Sequence, residues 1–137
     1  LVARSQERKT FGRYLHQHGT VAEWIARSRI EIEQARLMVL KTAALLDERG
    51  PKGARKEVAM IKVVAPNVLS QVADRAMQTW GAMGVSPDTP LADLYTAGRV
   101  LRLADGPDEV HLQSVARQEL KQQQEQLDRV SAYLAGA

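Results

Sequence analysis

The sequence contains no cysteine, so disulfides, thiolate metal ligands and cysteine nucleophiles are excluded. Aromatic residues make up only 4% of the chain, and alanine, leucine, valine and isoleucine supply most of its apolar side chains. This composition favours interlocking helices over a sandwich of strands. No apolar run approaches the roughly 20 residues that a membrane helix requires, and no signal peptide is recognisable. We therefore expect no membrane span.

The charged residues are scattered along the chain and form no block of one sign. The formal net charge is +3, and the isoelectric point of the sequence is about 9.4. Interspersed charges of both signs are typical of a solvated surface, so we do not expect a nucleic-acid partner.

The length of 137 residues is typical of a single domain, and we assign residues 1–137 to one. The chain begins with Leu1 in the middle of a helical pattern. We therefore expect it to be a piece of a longer protein.

Apolar residues at steps of three and four predict two long helices in the first two-thirds of the chain. The first begins at Thr20, where Thr20 and Glu23 match a capping box, and ends at Gly50-Pro51. The second runs from about residue 56 to 80. It includes Pro66, at which we expect a kink, because the apolar stripe resumes in phase beyond it.

Two further helices are predicted toward the C-terminus. Thr89 is expected to cap a short helix that starts at Pro90 and ends near Leu103. The last helix is expected over about residues 107–134, whereas residues 11–19 lack periodicity and are expected to form a loop. The predicted fold class is therefore all-α, an up-down helix bundle. The expected inner face of the last helix consists of Leu112, Ala116, Leu120, Leu127, Val130 and Leu134.

The corner between the last two predicted helices contains an acid, Asp105, directly before Gly106 and Pro107. Aspartate is among the best N-terminal helix caps and proline suits the first helical turn, so Asp105 fits a structural cap. A carboxylate on a loop between rigid helices also fits a general base. Asp108 and Glu109 follow in the first turn, where the helix dipole favours negative charge without any function.

Other chemistry-bearing residues form no recognisable catalytic pattern. His16 and His18 stand two residues apart without a regularly spaced acid, so no metal site is predicted. Ser28 and Ser114 lack the glycine elbow of serine hydrolases. Composition and spacing alone therefore leave open a stand-alone helical module for oligomerisation or interaction, without catalysis.

Four blocks of the sequence, in order and at matching intervals, are similar to one enzyme family. They are ERKTFGR at 7–13, IEQAR at 32–36, AMQTWGAMGV at 76–85 and RVLRLADGPDEVHLQSVARQEL at 99–120. Together they resemble the C-terminal helical domain of the flavin-dependent acyl-CoA dehydrogenases. The LADGPDEVH stretch is most similar to the branch of family members 10 and 11.

This resemblance implies an oxidoreductase that uses FAD to dehydrogenate acyl-CoA thioesters between the α and β carbons. In the family, the acid before the last helix is usually a glutamate that removes the α-proton, and the matching residue here is Asp105. Such a base has to lie in a site dry enough to raise its pKa toward neutrality. Capping and catalysis are compatible if the carboxylate caps the helix at rest and swings to the substrate.

The resemblance also implies which residues contact the cofactor. In the family, the block that matches residues 8–11 contacts the flavin dinucleotide of a neighbouring subunit. The block that matches residues 78–81 approaches the ADP half of the cofactor, and the positions that match residues 107 and 109 follow the catalytic acid. The residues at the matching positions are Arg8, Thr10, Phe11, Gln78, Gly81, Pro107 and Glu109.

Family members also carry an N-terminal helical domain and a middle β domain, which residues 1–137 do not include. The resemblance therefore implies that this chain alone is inactive, and that the intact enzyme takes part in fatty acid β-oxidation as a homodimer or homotetramer. It implies a cytoplasmic location, or a mitochondrial or peroxisomal one in a eukaryote.

Overall fold

The computed structural model describes residues 1–135, and helices dominate it. A short helix and a two-stranded hairpin precede a bundle of four helices, which confirms the predicted all-α bundle. Short 3-10 segments at Leu15–Gln17 and Gly81–Val85 join some of these elements. The helices and strands are α1 (Val2–Glu7), β1 (Lys9–Thr10), β2 (Arg13–Tyr14), α2 (Gly19–Gly53), α3 (Arg55–Trp80), α4 (Leu91–Leu101) and α5 (Asp108–Ala135).

Helix α3 is the centre of the bundle, because α2, α4 and α5 all pack against it. Its buried positions include the small residues Ala59, Ala73 and Ala76. The backbone of α4 comes so close at Gly98 that an added Cβ would lie 2.6 Å from the Ser70 hydroxyl of α3. Close approach of backbones therefore holds α4 against α3 and positions the corner that follows α4.

The turn between α2 and α3 forms at the predicted Gly50-Pro51. Gly50 has φ +68° and ψ 178°, a conformation that residues with a Cβ rarely adopt. Pro51 then starts one more helical turn, which ends at Gly53, and the buried Ala54 leads into α3. The predicted stop is therefore a sharp kink, which lets α2 and α3 run back along each other.

Pro66 lies within α3, which continues on both sides of it as one helix. Two polar side chains bond backbone carbonyls around the proline. The Asn67 amide donates to the carbonyl of Val63 at 2.7 Å, and the Ser70 hydroxyl donates to that of Pro66 at 2.9 Å. Side chains next to the proline thus add hydrogen bonds to carbonyls of the adjoining turns.

The loop predicted over residues 11–19 is wrong in its first half, where the chain forms a hairpin. Strands β1 and β2 pair antiparallel, with Lys9 opposite Tyr14 and Thr10 opposite Arg13. Both turn residues, Phe11 and Gly12, have positive φ, as the tightest hairpin turns require. Strands of only two residues carry no alternating pattern, so periodicity could not reveal them.

Both predicted side-chain caps are also wrong. Helix α2 begins at Gly19 with His18 in the cap position and no side-chain cap, and Glu23 pairs with Arg27 at 2.7 Å instead. Helix α4 begins after Pro90, and the Thr89 hydroxyl donates to the carbonyl of Met83 at 3.1 Å. The two threonines predicted the helix starts to within about two residues, but neither threonine caps its helix.

The expected inner face of α5 is exposed, which corrects the predicted core. Ala116 is exposed, and the other five residues of this face are each more than half exposed: Leu112, Leu120, Leu127, Val130 and Leu134. The periodicity shows that this face is apolar, but not which surface covers it. Within residues 1–135, no helix is both long and apolar enough to cross a membrane.

Candidate functional site

The corner between α4 and α5 spans residues 102–107, and its backbone is fixed in an uncommon conformation. Asp105 and Gly106 have φ +54° and +102°. The left-handed region costs most residues roughly 1–2 kcal/mol, although aspartate and asparagine tolerate it best after glycine. A Cβ on Gly106 would also lie 3.3 Å from His111 Nε2. The Asp-Gly pair therefore suits this turn, whatever its chemistry.

The Asp105 side chain is exposed at the tip of this corner. Helix α5 begins only at Asp108, and in the part of the chain that the structure describes the Asp105 carboxylate has no hydrogen bond. The interpretation of Asp105 as a helix cap is therefore wrong. The corner backbone is held instead, because His111 Nε2 donates to the Asp105 carbonyl at 3.2 Å.

Asp108 is the buried acid of the corner. One of its carboxylate oxygens accepts from Arg102 Nε at 2.7 Å and from Asn67 Nδ2 of α3 at 3.0 Å. Burial alone would raise the pKa of Asp108, but these hydrogen bonds and the charges of Arg102 and Lys62 hold it below its usual value. Its backbone N–H also donates to the Arg102 carbonyl at 3.2 Å, so the corner is closed twice between the same two residues.

Lys62 of α3 provides a second attachment for the corner. Its ammonium group donates to the carbonyl of Leu101 at 2.7 Å and to that of Gly106 at 3.1 Å. Those carbonyls lie on either side of Asp105 along the chain. Sequence reasoning missed both Lys62 and Asn67, because only the fold brings residues about forty positions apart into contact with the corner.

The structure brings two of the predicted cofactor residues together at the far end of α3. Gln78 and Gly81 line a cleft of about 380 Å³ with four other residues. Gly81 ends α3 with φ +66°, which favours glycine. The other lining residues are Asp74, Met77, Ala82 and Val85.

Gly84 has a packing role that the sequence did not reveal. A Cβ at this buried position would lie 2.4 Å from the backbone oxygen of Met77. The segment after α3 therefore folds tightly onto the last turns of that helix, which shapes the wall of the cleft.

Three further predicted cofactor residues, Arg8, Thr10 and Phe11, lie on or beside the N-terminal hairpin. Phe11 occupies the turn with φ +50° and is 96% exposed. The His18 ring lies 3.3 Å from the Thr10 hydroxyl and steadies the hairpin from the start of α2.

Helix α1, which precedes the hairpin, packs against the C-terminal end of α3. The Arg4 guanidinium stacks over the Trp80 ring at 4.9 Å, an arrangement that a cation–π attraction stabilises. The hairpin and the Gln78 cleft are therefore associated with the same end of the bundle.

The remaining predicted cofactor residues, Pro107 and Glu109, lie beside Asp105 in the corner. The Pro107 carbonyl accepts the backbone N–H of Val110 at 3.0 Å, and Glu109 is exposed. Gln78 is sixteen residues beyond Lys62 on α3, which corresponds to about 24 Å at about 1.5 Å per residue. The predicted site residues thus form two separate groups, one at the corner and one at the far end of α3.

A family model described as the C-terminal domain of acyl-CoA dehydrogenase matches residues 1–120. The chain belongs to the acyl-CoA dehydrogenase family. The similarity to family members 10 and 11 is also confirmed. Acyl-CoA dehydrogenase family member 11 of Rattus norvegicus is 54% identical over 124 residues, covering 90% of this chain and 16% of that protein. Family member 10 of Mus musculus is 53% identical over 123 residues, covering 90% of this chain and 12% of that protein.

Solved structures of the acyl-CoA dehydrogenase family have the same fold. One from Mycobacterium abscessus, provisionally assigned as an acyl-CoA dehydrogenase, is 50% identical with a TM-score of 0.87. The match covers 88% of this chain and 30% of that one. This chain therefore spans less than a third of the length of each of these relatives.

Proposed function

We propose that this chain is the C-terminal domain of a longer FAD-dependent acyl-CoA dehydrogenase, in which Asp105 removes the α-proton of the thioester. The exposed carboxylate at the tip of a fixed corner is the observation that carries this assignment. The family match over residues 1–120 supports the reaction class, and the short coverage of the relatives supports further domains. The intact enzyme would act as an oxidoreductase on acyl-CoA substrates.

The chemistry requires that the base carry no competing partner. Asp105 has none within residues 1–135, whereas Asp108, three residues away, is buried in an ion pair with Arg102 and cannot turn outward without breaking it. The two acids thus divide their roles: Asp108 holds the corner and Asp105 is free to take a proton. When bound, FAD would accept the hydride that leaves the β-carbon.

The predicted cofactor residues suit a flavin dinucleotide in their chemistry. Arg8 has no salt bridge in the described chain, and the Gln78 amide is exposed, so both can donate to phosphate or ribose oxygens. Phe11 presents an almost fully exposed ring that can stack on an aromatic ring system. These three side chains are accessible without any change in the fold.

The distance between the two groups supports an assembly of several copies. Lys62, which holds the corner of Asp105, and Gln78 are about 24 Å apart along α3. In our proposal, the hairpin and cleft of one subunit hold the cofactor that serves the Asp105 of a neighbouring subunit. We therefore propose that the intact protein is a homodimer or homotetramer.

Exposed apolar side chains support both the missing domains and the assembly. Leu37 and Leu40 of α2 are 65% and 60% exposed, and the apolar face of α5 is likewise uncovered. Large exposed apolar patches on a protein surface often mark the places where another domain or subunit packs. The same surfaces also suit the alternative function, a stand-alone module for oligomerisation without catalysis.

The test replaces Asp105 with asparagine in the longer, FAD-loaded gene product. Flavin bleaching is followed without oxygen after mixing with butyryl-CoA, octanoyl-CoA or palmitoyl-CoA, and the fastest of these is used for comparison. We expect Asp105→Asn to keep its flavin and to lose roughly 100-fold or more in the bleaching rate, the usual contribution of a general base. Asp93→Asn, at an exposed acid in the first turn of α4, is the matched control and should bleach normally.

Unchanged bleaching by Asp105→Asn would refute the role of the base. A purified gene product that binds no flavin and oxidises no thioester, yet still self-associates in sedimentation, would favour the alternative module.

A further inference from the structure

The Asp105 corner is attached to α3 on both sides of the acid. The Lys62 ammonium bridges the last carbonyl of α4, at Leu101, and the carbonyl of Gly106. These two contacts fix the chain immediately after α4 and immediately after Asp105. The Lys62 side chain therefore fixes the distance between the carbonyls of Leu101 and Gly106.

A second attachment joins the two ends of the corner, at Arg102 and Asp108. The Asp108 carboxylate bonds Arg102 within the corner and Asn67 on α3, and the Asp108 N–H bonds the Arg102 carbonyl. The Asp108 side chain is only 7% exposed, so this cross-link is shielded from water. Asn67 and Lys62 lie five residues apart on α3, and together they hold the two ends of the corner.

The remaining contact holds the peptide of Asp105 itself. His111 Nε2 donates to the Asp105 carbonyl at 3.2 Å, and the Asp105 side chain is exposed. Within residues 1–135, the Asp105 carboxylate itself makes no hydrogen bond. The corner thus combines a held backbone with an exposed acidic side chain that has no partner in the described chain.

We propose that Lys62 is a positioning residue for catalysis, holding the corner so that the Asp105 carboxylate meets the α-carbon of the bound thioester. This inference rests on the proposed role of Asp105 as the base. A base displaced by about 1 Å can lose roughly 100-fold in rate, so the hydrogen bonds of Lys62 act on catalysis without touching the substrate.

The same contacts could serve stability alone, since Lys62 also satisfies a carbonyl at the end of α4. The two roles differ in what their loss changes. If Lys62 is purely structural, its loss lowers the unfolding temperature or the flavin content of the enzyme. If Lys62 is a positioning residue, its loss lowers the rate of proton removal in enzyme that is folded and loaded with flavin.

The experiment compares Lys62→Met with Lys62→Arg in the longer, FAD-loaded gene product. We expect Lys62→Met to keep its flavin spectrum and its KM for the fastest acyl-CoA probe within about twofold. We expect its flavin bleaching rate to fall roughly 10- to 100-fold. Lys62→Arg retains donors of similar reach and should recover most of that rate.

Lys56→Met is the matched control. Lys56 also lies on α3, but it donates to Glu119 of α5 at 2.9 Å and does not contact the corner. We expect this variant to bleach at the rate of the parent enzyme. An equal loss of rate in Lys56→Met and Lys62→Met would overturn the proposal, because it would show that the loss does not depend on contact with the corner.

A double variant shows whether Lys62 acts through the base. If it does, Lys62→Met lowers the residual rate of Asp105→Asn by less than about twofold, because effects of residues that act as one unit are not additive. The full loss repeated in the double variant would overturn the proposal. If Asp105→Asn alone bleaches normally, the assignment of the base fails instead, so the two failures are distinguishable.

If Lys62→Met yields no flavin-loaded protein, His111→Leu is measured in the same way. It removes only the contact with the Asp105 carbonyl, at the surface of the corner. We expect a slower bleaching rate at an unchanged KM, and a parental rate would overturn the proposal that the corner has to be held for catalysis.

Discussion

Replacing Asp108 with asparagine should destabilise this chain strongly near neutral pH and much less in acid. The carboxylate is buried and accepts a charge-assisted hydrogen bond from Arg102 at 2.7 Å and a second bond from Asn67 at 3.0 Å. A hydrogen bond to a charged group contributes about 1.5–3 kcal/mol, whereas a neutral one contributes about 0.5–1.5 kcal/mol. Replacing the charged carboxylate with a neutral amide therefore lowers the free energy of unfolding by roughly 1–2 kcal/mol.

The second carboxylate oxygen adds to this loss. It is buried and has no hydrogen-bond partner within residues 1–135. An asparagine amide placed there would bury an unsatisfied donor, at about 1 kcal/mol or more. We expect Asp108→Asn to lower the free energy of unfolding by about 2–3 kcal/mol in total. With a urea m-value of about 1–2 kcal/mol/M, the midpoint falls by about 1–3 M.

The dependence on pH follows from the lowered pKa of Asp108 in the folded state. Its contribution is fully present above the unfolded value of about 3.9 and is lost as the pH falls through the lower folded value. The measurement is urea unfolding of both proteins, followed by circular dichroism at about pH 7, about pH 5 and about pH 2.5. Asp93→Asn, at an exposed acid, should stay within about 0.5 kcal/mol of the parent. An equal loss for Asp108→Asn at all three pH values would show that shape, and not charge, decides the effect.

Two more predictions concern the packing around α3. Glu31→Gln weakens a paired contact between α2 and α3, in which Arg75 donates to both carboxylate oxygens at 2.6 and 2.8 Å. It should cost about 1–2 kcal/mol near neutral pH. Because hydrogen bonds from Arg75 lower the pKa of Glu31, that cost should shrink as the pH falls below about 4, which urea midpoints at several pH values would show. Gly84→Ala forces a Cβ into the backbone of α3 and should lower the free energy of unfolding by about 1–3 kcal/mol, whereas Gly19→Ala, with open space around its Cβ, should not. Thermal unfolding of the two glycine variants side by side checks this, and equal midpoints would contradict the clash.

The features that the sequence predicted well are those that neighbouring residues decide. Helix periodicity placed α2, α3, α4 and α5 within a few residues of their observed ends. Gly50 kinks α2 and Gly81 ends α3, because each adopts a positive φ that other residues avoid. The family blocks fixed the fold and the order of the candidate site residues, since each block is short and keeps its own spacing.

The roles of individual polar side chains were harder to predict. Thr20 and Thr89 have sequences typical of caps, yet neither caps its helix, because a cap is only one of several partners within reach. The apolar face of α5 was recognised correctly as apolar but wrongly as core. Periodicity reports which side of a helix avoids water, and says nothing of the surface that will cover it.

Sequence alone determined that this protein is a helical bundle of the acyl-CoA dehydrogenase family with an acid at the corner before its last helix. It did not reveal which acid of that corner is buried, because Asp105 and Asp108 both stand near a helix start. Only the tertiary structure decided that Asp108 is buried and paired while Asp105 is exposed. The physical reason is that Lys62 and Asn67, about forty residues away, supply the hydrogen bonds that hold the corner, and only folding brings such distant residues together.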